Sequence, residues 1–229
     1  MDGVIAVDMP PVLPRRERDG HKGTYGKVLV VAGSRGMSGA AVLCGRAALR
    51  GGAGLVQVAT PATVQDVVAA GCPCYTTFGV RMHTDGTFAE GAWADLVELG
   101  QSADVLAVGP GLGRHAGVTA MVRAIVAGLP EKPIVLDADA LNALAPLADD
   151  FRTRPAPLVM TPHPGEFARL TGGPLPVEER ESQAVELVRR VGGVLLLKGA
   201  GTIVTDGARL YRNANGNPGM ATGGTGDVL

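Results

Sequence analysis

The residues that could carry chemistry in this chain sit in short segments punctuated by Gly and Pro. The longest is Asn213-Ala-Asn-Gly-Asn-Pro-Gly-Met-Ala-Thr-Gly-Gly-Thr-Gly-Asp227. Gly223, Gly224 and Gly226 can turn successive N–H groups inward, and a following helix would let them hold a phosphate at its positive end. Asp227, beside such a nest, could take a proton from an attacking hydroxyl. Spacing alone also allows a flexible Gly-rich tail. His163, in Thr161-Pro-His-Pro-Gly-Glu166, has its backbone fixed by two prolines. That suits a positioned ligand contact, and it equally suits a rigid helix start with Pro164 in the first turn. Lys198 leads into Gly199-Ala-Gly-Thr202 and could meet a phosphate or simply be a solvated strand end. Asp137 and Asp139 could hold Mg²⁺ through water. The preferred reading makes Asp139 the cap of a helix running through 142–147.

Other motifs are weaker. Gly111-Leu-Gly-Arg-His-Ala116 fits G-x-G-x-x-A, but it lies mid-chain, with Pro110 stiffening the turn, and reads against a dinucleotide fingerprint. A Walker A sequence is absent. His21-Lys-Gly-Thr-Tyr-Gly26 could close over a substrate. His83 and His115 stand in polar surroundings without partners at ligand spacing and read as surface residues. Arg35 and Arg114 could meet a 2′-phosphate, though both read first as solvated side chains. Cys72 and Cys74 form a C-x-C with no second half, which reads as incidental.

The elements that must position these residues alternate. Apolar strands are expected at 27–32, 55–59, 104–108, 134–136, 158–160, 194–198 and 202–205. Helices are expected at 38–50, from a Thr60-Pro61 cap to Ala70, and at 90–99, 115–127 and 178–191. Asp206-Gly207 marks a turn, with 208–211 returning as a hairpin arm. Short, wholly apolar strands between helices imply a parallel sheet covered on both faces. The special loops follow strands, at the edge where such sheets bind ligands.

Composition bounds the rest. Apolar residues make up 46% of the 229, and with one Trp, three Tyr and four Phe the core must be largely aliphatic. The net charge of −1 gives no bulk field for nucleic acid or anionic membrane. No apolar run approaches the ~20 residues of a membrane span. The N-terminus lacks a signal peptide's basic start, and three cysteines make no disulfide framework. A reducing cytoplasm is the expected compartment. Residues 1–20 read as a Pro-rich, charged lead-in, and 21–229 as a single domain.

Six stretches together resemble one family. They are HKGTYGKVLVVAGSRGMSGAA (21–41), AVGPGLGR (107–114), IVLDADALNAL (134–144), VMTPHPGEFARL (159–170), LLLKGAGTIV (195–204) and GNPGMATGGTGDVL (216–229). In order and type they resemble the ADP/ATP-dependent NAD(P)H-hydrate dehydratases of the ribokinase-like superfamily. The resemblance implies a three-layer α/β fold with a mostly parallel central sheet. It implies a lyase that uses ADP, with Mg²⁺, to dehydrate (6S)-NADHX and NADPHX to NADH and NADPH, releasing AMP and phosphate.

Carried over by position, Ala40, Gly111, Gly113, His163 and Asp227 would contact the hydrate. Lys198, Gly199, Ala200, Gly201, Thr202 and Gly226 would contact the nucleotide. Asp227 would act as the base, assisted by the amides of Gly224 and Gly226. No dedicated metal ligand is evident. The resemblance further implies a homotetramer and a stand-alone dehydratase served by a separate epimerase, because 20 lead-in residues cannot form that domain. The family continues past GGTGD with helices, and the first of them is expected to be missing after Leu229. Two rival functions are a ribokinase-like small-alcohol kinase of the hydroxyethylthiazole type and a non-catalytic nucleotide sensor.

Overall fold

A computed structural model describes residues 3–147 and 153–229. One ten-stranded sheet runs in the order β1-β10-β9-β8-β7-β6-β5-β2-β3-β4. The strands are β1 (Ile5–Val7), β2 (Lys27–Val31), β3 (Leu55–Pro61), β4 (Thr76–Val80), β5 (Val105–Val108), β6 (Ile134–Leu136), β7 (Leu158–Met160), β8 (Val194–Leu197), β9 (Ile203–Thr205) and β10 (Arg209–Arg212). β9 is antiparallel to both of its neighbours, and every other pairing is parallel.

The helices are α1 (Ser38–Gly51), α2 (Gln65–Ala70), α3 (Ala92–Gln101), α4 (Ala116–Gly128), α5 (Ala138–Leu144), α6 (Pro164–Thr171), α7 (Arg180–Val191) and α8 (Thr225–Val228). They cover both faces, as the apolar strands require. Along β2, Leu29 and Val31 join the larger core with α3 to α7, whereas Val30 joins the smaller one with Ala41 of α1 and Val68 of α2. This two-residue alternation is the pleat at work. In α4 the spacing of Val118, Met121, Val122 and Ile125 puts one face wholly in the core. Each such side chain contributes about 1.5–3 kcal/mol by leaving water.

The fold is the three-layer one expected, with local differences. β3 runs on through Thr60 and Pro61, so Thr60 ends a strand and caps nothing, while Pro61 precedes a single 3-10 turn at Ala62–Val64 that leads into α2. Thr60 is fully buried, its hydroxyl lies 3.1 Å from where a Cβ on Gly33 would sit, and α2 starts only at Gln65. β4 was not foreseen, since TTFGV is an edge strand with a glycine inside and only Val80 buried. Residues 5–7, within the presumed lead-in, pair with β10. The helix expected through 142–147 lies earlier, at 138–144. The three cysteines are unpaired thiols. No helix among the described residues is long and apolar enough to cross a membrane.

Candidate functional site

Five strands of the sheet end side by side, and the loops leaving them are tied together by backbone hydrogen bonds. Gly33 N–H donates to Pro110 O (2.8 Å), Gly109 N–H to Val31 O (3.1 Å) and Asp137 N–H to Val108 O (3.1 Å). Thr161 N–H donates to Leu136 O (3.1 Å) and Lys198 N–H to Pro162 O (2.9 Å). The ends of β2, β5, β6, β7 and β8 therefore form one continuous edge. Gly109 is required there, because a Cβ would fall 1.7 Å from Asp137 O at a φ of +141°.

The Lys198 ammonium lies 2.6 Å from Asp137 Oδ1, with both side chains largely buried. Asp137 occupies the N-cap position of α5 yet makes no cap bond, so its carboxylate serves the ion pair. Asp227 reaches the same place from α8, the short turn packed on α1. A Cβ on Gly226 would stand 3.5 Å from Lys198 Nζ. Burial pushes the Asp227 carboxyl above its ordinary value and the Asp137 charge pushes the same way, while Lys198 pulls it down. Cys44, on the facing side of α1, is pushed up to about 12 by burial and then by Asp227 and Asp137, so its thiol stays neutral.

Around Gly113 the construction differs. Gly113 N–H donates to Asp139 Oδ2 (2.9 Å), and Arg114 Nε lies 3.5 Å from Asp139 Oδ1. Asn142 Nδ2 donates to Asp139 Oδ1 (3.3 Å), and Arg169 Nε donates to Asn142 Oδ1 (2.7 Å), joining this loop to α6. Asp139 is therefore inside the first turn of α5 holding a neighbouring loop, which corrects the expectation of a cap. Ser34 Oγ donates to Gly111 O (2.8 Å), and a Cβ on Gly111 would meet Ala40 Cβ at 3.0 Å.

His163 is the N-cap of α6. Its Nδ1 accepts from the N–H of Gly165 (3.0 Å) and Glu166 (3.4 Å), and Glu166 Oε2 accepts from His163 N–H (2.9 Å). This is a capping box built on imidazole. With Nδ1 accepting, the ring proton sits on Nε2, which is thereby a donor. That nitrogen lies 3.3 Å from Glu166 Oε1, so both ring nitrogens of His163 have partners within the first turn of α6.

Of the sequence-predicted residues, Lys198, Gly226 and Asp227 gather beside Asp137, and α8, which carries Gly226 and Asp227, packs on α1, the helix of Ala40, against which Gly111 also lies. His163 follows Pro162, which accepts the Lys198 amide. Residues 199–202 form a tight loop in which Thr202 Oγ1 donates to Gly199 O (2.9 Å). Sequence reasoning missed Arg180, whose guanidinium donates to Ala200 O and Lys198 O, both at 3.1 Å. An Arg at the start of an amphipathic helix carries no signal of such a contact. It also took His83 and His115 as isolated, yet their ring centroids are 4.3 Å apart.

A mostly parallel sheet between two helical layers, with these loops gathered at its strand ends and a GGTGD turn closing over them, defines a ribokinase-like protein. The particular family follows from the sequence pattern. The chain belongs to the NAD(P)H-hydrate dehydratase family, whose pattern matches residues 28–229.

It is 45% identical over 221 residues to the bifunctional NAD(P)H-hydrate repair enzyme of Moorella thermoacetica, covering 95% of this chain and 41% of that enzyme. The chain thus spans about two-fifths of such bifunctional relatives. It is 37% identical over 235 residues to the ADP-dependent (S)-NAD(P)H-hydrate dehydratase of Neisseria meningitidis serogroup B, covering 98% of this chain and 73% of the relative. Among solved structures it is similar to the ADP/ATP-dependent NAD(P)H-hydrate dehydratase of Bacillus subtilis co-crystallized with ATP/Mg²⁺. That similarity is 33% identity and a TM-score of 0.79 over 94% of this chain and 73% of the other.

Proposed function

We propose that this chain uses ADP to dehydrate (6S)-NADHX and NADPHX, restoring NADH and NADPH. The observation that carries the reading is the Lys198–Asp137 ion pair standing beside the partly buried carboxyl of Asp227. A carboxylate made more basic by burial accepts a proton better, and an ammonium beside it suits a phosphate. In this reading Asp227 takes the proton of the hydrate's C6 hydroxyl. That oxygen attacks the terminal phosphorus of ADP and AMP leaves. The C6–O bond then breaks with phosphate as the leaving group, a proton departs from C5, and the C5=C6 double bond returns. Phosphate leaves readily where hydroxide does not.

Lys198, Gly199, Ala200, Gly201, Thr202 and Gly226 would hold the nucleotide, with the amides of Gly224 and Gly226 facing the charge on the transferred group. Ala40, Gly111, Gly113 and His163 would hold the hydrate. The donor set fits an Mg²⁺ that travels on the nucleotide. Asp137 is neutralised by Lys198 and Asp139 is taken up by Gly113, so neither builds a cage, and Asp137 would reach the ion through water. Bound there, Mg²⁺ would neutralise charge on the phosphates. A separate epimerase would supply the S epimer, and light scattering tests the tetramer that belongs to this reading.

The decisive experiment adds ADP and (6S)-NADHX to the protein and follows absorbance at the reduced-nicotinamide band. A rise that Asp227→Asn abolishes while nucleotide binding persists supports the reading. No rise, together with ATP-dependent phosphorylation of a hydroxyethylthiazole-type alcohol, overturns it.

A further inference from the structure

His83 and His115 have no part in the reaction described above, yet they face each other with ring planes tilted by 33°. His83 lies on the excursion between β4 and α3, folded back on itself by a bridge between Met82 and Phe88. His115 caps α4. Asp85 completes the group, its Oδ1 lying 3.2 Å from His83 Nδ1. One ring nitrogen from each histidine and one carboxylate oxygen of Asp85 lie within 4.8 Å of one another. Thr87 orients the carboxylate through its N–H (2.9 Å) and its hydroxyl (2.7 Å). Arg114, the nearest cation in sequence, is drawn to Asp139.

Two imidazoles and one carboxylate are the donors that a borderline divalent cation selects over the hard Mg²⁺. We infer that His83, Asp85 and His115 form a binding site for a transition-metal dication of the zinc class, with the remaining coordination open to water. The fold offers a contrast for the same local motif. His21, His115 and His163 each cap a helix by accepting an N–H from the glycine two residues on. Among the described residues only His115 has a second imidazole stacked against it.

The site carries an internal penalty. His115 Nδ1 accepts the Gly117 N–H at 3.0 Å. A metal on Nδ1 displaces that bond. A metal on Nε2 forces the ring proton onto Nδ1, where it confronts the N–H. Either way the ion must break one helix cap, so binding frees the Gly117 amide. The excursion also touches the loop after β5, because Thr87 Cγ2 would lie 3.1 Å from a Cβ on Gly113. A bound ion would therefore pin residues 83–87 to the start of α4 beside that loop.

The test titrates the untagged, metal-stripped chain with Co²⁺, followed by its visible d–d bands, and with Zn²⁺ by calorimetry. The expected result is one ion per chain, with affinity reduced at least about tenfold in both His83→Ala and His115→Asn. Asparagine keeps a side-chain oxygen for the Gly117 N–H, so the second variant removes the ligand and leaves the helix capped. His21→Asn should bind as the parent does. Zinc should also move the Gly117 amide resonance and speed its exchange. No stoichiometric binding, or binding that survives His83→Ala and His115→Asn, overturns the inference. Neither outcome depends on the dehydratase activity.

Discussion

On the side of the strand-end edge formed by β6 and β8, the Lys198 ammonium lies against Asp137, both largely buried, with the partly buried Asp227 nearby. On the side formed by β2 and β5, the loop at 109–113 is held by Ser34, Asp139 and backbone carbonyls through directed hydrogen bonds. The first side depends on charge balance, where removing one partner exposes the other. The second depends on short bonds that can be removed one at a time. Charge-held geometry should fail abruptly and respond to pH, whereas bond-held geometry should loosen by degrees.

The largest effect should come from Lys198→Met, which leaves Asp137 buried without its partner. Because the pair retains some exposure, we expect about 2–3 kcal/mol of lost stability in denaturant unfolding. Asp137→Asn in the same chain should restore part of it, and an additive double mutant would break the comparison. Next comes Asp139→Ala on the other side. It removes the acceptor for Gly113 N–H and the link through Asn142 to Arg169, at about 1–2 kcal/mol. In the dehydratase assay it should raise KM for the hydrate more than it lowers kcat.

His163→Ala should cost about 1 kcal/mol as a lost cap, and His163→Asn much less. A drop in hydrate affinity common to both variants would then belong to the imidazole ring. The acid limb of turnover sharpens the contrast by its position. As the proposed base Asp227 would have to be ionised, and its carboxyl is raised, so activity should fall off at higher pH than an ordinary aspartate gives. For stability the sign is the reverse. A raised carboxyl favours the folded state below its unfolded value, and that advantage is lost as pH rises through the folded one. The smallest effect belongs to Asp85, lowered to about 2 first by the Thr87 hydroxyl. Its contribution is present above the ordinary carboxylate range and lost as pH falls towards 2, which a carboxyl NMR titration would follow.

The fold was largely legible because buried parallel strands are written as short apolar runs, and six of the expected strands match closely. Thr60-Pro61 misled because the dipeptide has the same chemistry at a strand end as at a helix start, and only burial separates the two. β1 and β4 sit at the sheet's edges: β4 is half polar, and β1 is an apolar run of three residues, too short to separate from a loop. Within the site, the glycines and His163 stood out because turn chemistry is local. The Asp137–Lys198 pair spans 61 positions, and the Arg180 contacts span 18 and 20, so nothing in their neighbourhoods announces them.

Arg180 has a wider consequence. Its guanidinium grips two carbonyls of the 198–200 stretch before any ligand arrives. In the proposed reading the nucleotide meets a wall already in its final shape, and docking costs the host little freedom. Affinity on that flank should come mainly from a slow departure, since the wall has no disorder to recover when the guest leaves.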